Sequence, residues 1–245
     1  VGYLCIRNGT DIAFKKARIT APIYFDKMPS RTKFPCTGVI LSGGLATRYS
    51  GTDKALLRVG GVRILDRIYR IYTELFEEII LVTNNPEKFL DWDLLIVPDL
   101  FPIRSSLTGI HAGLFFMSNP FAFISACDTP FLKKDIVETV IKNIKPDIDM
   151  VMPETASGRE PLCTAYSKRC LISAQQHLEQ GKLQIIKAFR KCRIKTISEK
   201  VLREKDADLQ SFFNINAPDD LKRAEEMVKD EYRQFGGRNK KTPGL

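Results

Sequence analysis

Apolar and polar positions alternate between two periods along most of the chain. Continuous apolar runs at residues 38–42, 78–83, 94–98, 121–126 and 150–153 read as short buried strands, with another over 162–166 and one over 193–197. Between them, apolar residues recur at helical spacing over 62–76, where Ile64, Leu65, Ile68, Ile71, Tyr72 and Leu75 share one face. The same spacing recurs over 107–118, 133–144, 170–179 and 182–191, and Pro218, Asp219 and Asp220 start a closing helix. Strands alternating with helices predict a mostly parallel sheet covered on both faces, a three-layer α/β/α domain. Residues 1–36 show weak periodicity and read as an N-terminal appendage, residues 37–230 as the domain, and residues 231–245, with Gly236, Gly237, Arg238, Asn239, Lys240 and Lys241, as a basic tail. Because the chain begins at Val1, it reads as a fragment, a processed form or a read-through product, with Met28 as a candidate start.

The chain has 245 residues, 44% hydrophobic and 27% charged, which suits a globular protein with a sizeable core. The net charge of +9 points to nucleic acid only until its location is considered. Residues 1–36 hold seven basic and two acidic residues, and residues 231–245 four and one, so the body between them is nearly neutral. A nucleic-acid interface would need its basic groups across a folded face, so none is expected. The longest uncharged stretch, 105–127, is broken by Ser105, Ser106, His111, Asn119 and Pro120, so no membrane span is expected either. The six cysteines form no C-x-x-C pair, which removes the usual zinc spacing, and without a secretory leader the expected compartment is the cytoplasm.

Chemistry concentrates in the loop after the first strong strand: Leu41, Ser42, Gly43, Gly44, Arg48, Gly51, Asp53 and Lys54. Glycines after a buried strand let backbone N–H groups approach phosphate oxygens, and Arg48 and Lys54 add positive charge. This is a triphosphate cradle with neither P-loop nor dinucleotide spacing. Asp128 ends an apolar strand and precedes Thr129 and Pro130, leaving a hard oxygen ligand at the sheet edge, suited to magnesium. Asp99 ends its own strand in the same way, and Asn214 and Asn216 alternate about Ile215, so both amides should face one side. His111 reads as a packed helix residue, and no nucleophile–base pair of the hydrolase kind is present.

These motifs, in this order, resemble the nucleotidyltransferases of Rossmann-like, glycosyltransferase-A-like fold, and most closely the molybdenum cofactor guanylyltransferases. The resemblance covers about residues 37–229. It rests on the first loop through Gly51, Asp53 and Lys54, on Val97-Pro98-Asp99, on the segment 123–130 around Asp128, and on Asn214, Asn216 and Pro218. Ser50 stands where the family usually has glycine, and Ser105-Ser106 where Gly-Pro is commoner. The resemblance implies transfer of GMP from GTP to molybdopterin-bound molybdenum cofactor, with release of pyrophosphate, by a monomer or weak oligomer. It implies catalytic roles for Arg48, Lys54 and Asp128, with Asp128 binding Mg2+. Nucleotide binding would fall to residues 41–44, Lys54, Asn84, Asp99 and Asp128, and acceptor binding to Arg159, Asn214 and Asn216. Two other readings remain open at this point: cytidylyl transfer to the same pterin or nucleotidyl transfer to a sugar 1-phosphate, and a non-catalytic partner of molybdoenzyme assembly proteins.

Overall fold

The computed structural model describes residues 3–8, 11–16, 34–43 and 53–236, with backbone alone at 3–8, 11–16 and 231–236. In chain order the strands and helices are β1 (Tyr3–Asn8), β2 (Asp11–Lys16), β3 (Thr37–Leu41), β4 (Arg58–Val59), β5 (Val62–Arg63), α1 (Ile64–Leu75), β6 (Ile79–Val82), β7 (Leu95–Val97), α2 (Ser106–Phe116) and β8 (Phe121–Ala126). There follow α3 (Lys134–Ile141), β9 (Met150–Thr155), β10 (Gly158–Arg159), β11 (Cys163–Ser167), α4 (Cys170–Glu179), α5 (Ile185–Ala188), β12 (Ile194–Ser198), α6 (Glu199–Arg203) and α7 (Pro218–Gly236).

One mixed sheet runs in the order β10-β9-β11-β8-β3-β6-β7-β1-β2, with β12 parallel to β9. From β8 through β3, β6 and β7 to β1 every pairing is parallel, and β11 joins β8 antiparallel. The N-terminal stretch contributes an antiparallel hairpin, β1 and β2, whose first strand pairs with β7 at Leu4 and Ile96.

Alternate strand residues feed two cores. Ile40, Leu81, Phe123, Val151 and Ala165 pack with α1, α3 and α7, whereas Val39, Ile80, Val82, Ile124, Met150 and Tyr166 pack with α2, α4 and the α5 segment. Strands buried on both faces leave no polar alternation, which is why they read as continuous apolar runs. Each fully buried Ile, Leu or Phe adds about 1.5–3 kcal/mol. Gly38 in β3 is required by close approach: a Cβ there would meet Tyr72 and Phe76 ring carbons at 2.5 Å. The Tyr72 hydroxyl, buried with its ring, donates to Ser125 Oγ at 2.8 Å and so ties α1 to β8.

Several boundaries depart from the sequence expectation. The helix expected from residue 62 starts at Ile64, because Val59 and Val62 close a hairpin over Gly60 and Gly61, with φ of 58° and 77°. Both values lie in the left-handed region that such a two-residue turn needs. The strand expected over 150–153 runs on to Thr155, as β12 pairs with it through Glu154. The helix expected over 182–191 is corrected to the single turn Ile185–Ala188: Gly181 turns the chain with φ of 68°, and Gln184 is still extended at ψ of 108°.

Candidate active site

β3 has β6 on one side and β8 on the other, so the chain leaves it in one direction and returns on the opposite flank. Where strand order reverses, the loops at the carboxyl ends diverge and leave a crevice. The crevice here is a cavity of about 310 Å³ lined by the ends of β3 (Leu41, Ser42, Gly43), β6 (Val82, Asn84, Asn85) and β8 (Ala126, Cys127, Asp128). Asp99, Arg104, Ser105, Ser106, Lys54 and Asn216 complete much of its wall.

The ladder outlasts the strands. The Cys127 amide donates to the Leu41 carbonyl at 3.0 Å, so the start of the first loop and the residue before Asp128 are held side by side. Thr129 Oγ1 donates back to the Ala126 carbonyl at 2.9 Å and turns the chain out of β8, leaving the Asp128 side chain on the cleft. Opposite it, Asp53 caps the short 3-10 turn Lys54–Leu56, accepting from the Ala55 amide at 3.1 Å and from Ser42 Oγ at 3.2 Å. That cap aims Lys54 across the cleft. Its Nζ lies 3.1 Å from Asp128 Oδ2 and donates to Asn216 Oδ1 at 2.9 Å. The Asn216 segment is pinned in turn, with the Ile215 amide donating to the Asp128 carbonyl at 2.9 Å. Asp220 Oδ2 accepts from the Asn216 and Ala217 amides, and those two bonds hold its carboxyl below the usual carboxylate range.

A second polar pair forms the far rim. Asn84 Nδ2 donates to Asp99 Oδ2 at 2.8 Å, and the Asp99 amide donates to Asn84 Oδ1 at 3.1 Å. Burial raises the Asp99 pKa above the usual value, with the Asn84 hydrogen bond and the Arg104 charge opposing it. Ser105 caps α2 by accepting from the Thr108 amide at 3.1 Å, so the N-terminus of an eleven-residue helix opens on the cleft.

The expected site residues separate into three groups. Leu41, Ser42, Gly43, Lys54, Asn84, Asp99, Asp128 and Asn216 line one cavity. Gly44 and Arg48 lie outside the described residues. Asn214 and Arg159 do not line it: Asn214 is exposed, and Arg159 sits on β10 with its Nε 3.4 Å from Glu154 Oε1. Ser106, noted in the sequence as a departure from the family pattern, is a wall residue, as are Lys88 and Arg104, which sequence reasoning did not single out. Their signal lay in position, since Lys88 follows the Asn85-Pro86 turn after β6 and Arg104 precedes the α2 cap. His111 packs edge-on against Phe101 at 5.0 Å, away from the cavity wall, and burial lowers its pKa.

Among the described residues no group of three or more His, Cys, Asp or Glu is placed to hold a metal. Magnesium does not need one, since it commonly takes one or two carboxylates and fills its octahedron with water and substrate phosphate. Asp128, one carboxylate facing an open polar cavity with an amide oxygen close by, fits that donor set. Also among the described residues, no helix is long and apolar enough to cross a membrane.

Residues 38–194 match the family model described as MobA-like NTP transferase domain. The chain is 45% identical over 193 residues to a molybdenum cofactor guanylyltransferase of Desulfosudis oleivorans, covering 79% of this chain and 96% of that protein. It is 34% identical over 194 residues to a probable molybdenum cofactor guanylyltransferase of Natranaerobius thermophilus, covering 77% and 94% of the two chains. Among solved structures, the molybdopterin-guanine dinucleotide biosynthesis protein A of Archaeoglobus fulgidus superposes with a TM-score of 0.70 at 27% identity, over 79% of this chain and 99% of that one.

Proposed function

The chain belongs to the MobA-like NTP transferase family, and from that premise we propose that it is a molybdenum cofactor guanylyltransferase. It moves GMP from GTP to the phosphate of molybdopterin-bound molybdenum cofactor and releases pyrophosphate. The observation that carries this reading is the 45% identity to a guanylyltransferase along nearly that protein's whole length. The convergence of Lys54, Asp128 and Asn216 on one crevice supports it.

The reaction is an in-line attack of one phosphate oxygen on the α-phosphorus of another phosphate. The attacking oxygen is already ionised, so no side-chain base is required, and the barrier lies in bringing two anions together in alignment. In this reading the Gly43 amide and Lys54 hold the triphosphate, joined by Gly44 and Arg48 of the same loop. Lys54 leaves the Asp128 carboxylate as phosphate enters, since its four-carbon stem lets the ammonium change partners within the cleft. Asp128 would then hold a magnesium ion together with substrate phosphate. The chemistry such an ion supplies there is neutralisation of charge between the approaching phosphates. Asn84 and Asp99 offer amide and carboxylate groups to the nucleoside. Asn216 orients Lys54 before substrate arrives. The cytoplasm is the compartment we infer, in keeping with five free thiols among the described residues.

The test is pyrophosphate release with magnesium and a molybdopterin-bearing acceptor, run with GTP, CTP, UTP and ATP. GTP alone should support turnover. Preference for CTP, or no release with any of the four, would overturn the assignment.

A further inference from the structure

Cys170 and Cys192 come from opposite flanks of β9 and meet at its first residues. β11 and β12 pair with β9 on either side, with Tyr166 and Ile194 both opposite Met150. Past Tyr166, the Ser167 amide donates to the Asp149 carbonyl at 2.8 Å, and ahead of Ile194 the Arg193 carbonyl accepts from the Asp149 amide at 2.9 Å. The Asp149 carboxylate then fixes both approaches. Its Oδ1 accepts from Arg169 Nε at 2.7 Å, and its Oδ2 accepts from the Arg193 amide at 2.9 Å and from Arg193 Nε at 3.2 Å. These bonds from Arg193 and Arg169 hold the carboxyl well below the usual carboxylate range, so the clamp stays charged at neutral pH. Arg169 immediately precedes Cys170 and Arg193 immediately follows Cys192, so the clamp sets the two thiols face to face with 4.0 Å between sulfurs.

The two thiols differ in role. Cys170 is buried, and Cys192 is the more accessible. The Cys170 thiol bonded to it lowers the Cys192 pKa to about 7, against burial and the Asp149 charge. A large share of Cys192 is therefore thiolate near neutral pH, the form that attacks an oxidant. Cys36, Cys127 and Cys163 are buried, which keeps their thiols protonated and away from a solution oxidant.

We propose that Cys170 and Cys192 form a reversible oxidation site, at which hydrogen peroxide converts the two facing thiols into one disulfide. The site is independent of the guanylyltransferase reading, since neither cysteine lines the cleft. In the first step the Cys192 sulfur attacks one peroxide oxygen. An S–O bond forms, the O–O bond breaks, and the departing oxygen leaves as water with the proton that Cys192 gave up. In the second step the Cys170 sulfur attacks the sulfur of the Cys192 sulfenic acid. The S–S bond forms, the S–O bond breaks, and hydroxide leaves as water with the Cys170 proton. The two thiols lose two electrons and two protons in all, and one peroxide becomes two waters. The sulfurs close from 4.0 Å to about 2.05 Å, between backbone segments that Asp149 already holds. The bond joins the ends of the segment 170–192, which carries α4 and α5, into one covalent loop. A dithiol in excess reverses it by thiol–disulfide exchange.

The experiment treats the full, reduced chain with hydrogen peroxide at neutral pH, blocks the remaining thiols with iodoacetamide, and follows thiol count, peptide masses and melting temperature, before and after dithiothreitol. The expected result is the loss of two of the six thiols and a cross-linked peptide pair joining Cys170 to Cys192. The melting temperature should rise by several degrees, because the closed loop restricts the unfolded chain, and dithiothreitol should restore both thiols and the original melting temperature. Cys170→Ser should stop at a Cys192 sulfenic acid that dimedone traps, and Cys192→Ser should leave Cys170 unreacted over the same time. Wild-type mapping decides alone if either variant fails to fold. The proposal is overturned if treated wild type keeps both thiols, pairs either cysteine first with a different one, or carries Cys192 on to the sulfinic acid without a disulfide.

Discussion

Lys54 and Asp128, from the first loop and the end of β8, meet with 3.1 Å between Nζ and Oδ2 although 74 residues separate them. Neither side chain is deeply buried, at 21% and 18% exposure, so water screens the pair and its contribution to stability stays small. Its importance lies in placement. A cation and a carboxylate already face each other where phosphate and metal would arrive, with Asn216 as the third corner.

Lys54→Ala should weaken GTP binding by about 1.5–3 kcal/mol, the range for one charge-assisted hydrogen bond. That corresponds to roughly 10- to 150-fold in affinity. Calorimetric titration of the folded variant measures it, and an unchanged dissociation constant would remove Lys54 from the phosphate site.

Asp128→Asn keeps the size of the side chain and an oxygen for the Lys54 ammonium but deletes the charge that would hold magnesium. Turnover should fall by about a hundredfold or more, because metal-assisted charge stabilisation is worth several kcal/mol in the transition state. The melting temperature should move little. Near wild-type turnover with the same magnesium dependence would reduce Asp128 to a strand-end residue.

Asp99 has a raised pKa, chiefly through burial, so the native state holds its proton more tightly than the unfolded chain does. The sign follows from linkage: ionising Asp99 costs the fold stability, a cost absent below the ordinary carboxylate range and complete above the raised value. Asp99→Asn cannot ionise. Its melting temperature should match wild type in acid and exceed it once pH has risen through the ordinary carboxylate range and past the raised value, while nucleotide affinity drops. A variant that loses stability relative to wild type on going to neutral pH would contradict the burial argument.

Much of this arrangement was legible in the sequence because burial on both faces writes a strand as an unbroken apolar run. β8 was read at 121–126 and is found as Phe121–Ala126 for that reason. The positions of Asp99 and Asp128 followed from strand ends, where a fold of this kind turns its chain toward a ligand, and that of Lys54 from the glycine loop after β3. Less legible was whatever depended on partners far along the chain. The apolar residues at 183, 185 and 186 suit a longer helix, and only Gly181 and the packing of Phe189 decide that one turn forms. Arg159 and Asn214 matched a family segment in order, yet order alone does not say which way an edge strand or an irregular segment faces. Lys88 and Arg104 carry no motif, and they enter the wall because the connections after β6 and β7 converge on it.

Cys170 and Cys192 form a pair with 4.0 Å between sulfurs, the buried Cys170 thiol donating to the more accessible Cys192. That bond lowers the Cys192 pKa, whereas burial raises those of Cys36, Cys127 and Cys163. Limited alkylation near neutral pH followed by peptide mass mapping should therefore label Cys192 ahead of these three buried thiols. Cys170→Ala should shift its reactivity to higher pH. Labelling of a buried thiol first would contradict the assignment.

The bond from the Ile215 amide to the Asp128 carbonyl gives the site a direction in time. The glycine loop, Lys54 and Asp128 leave the ribosome well before Asn216 and α7, so a nascent chain can lay down β3, β6, β7 and β8 while the crevice still lacks one wall. Lys54 gains its second anchor only when residues 213–220 have emerged and folded back across 87 residues of sequence onto the end of β8. Synthesis thus completes the cleft last, and a chain stopped short of residue 213 would carry most of the sheet without the finished site.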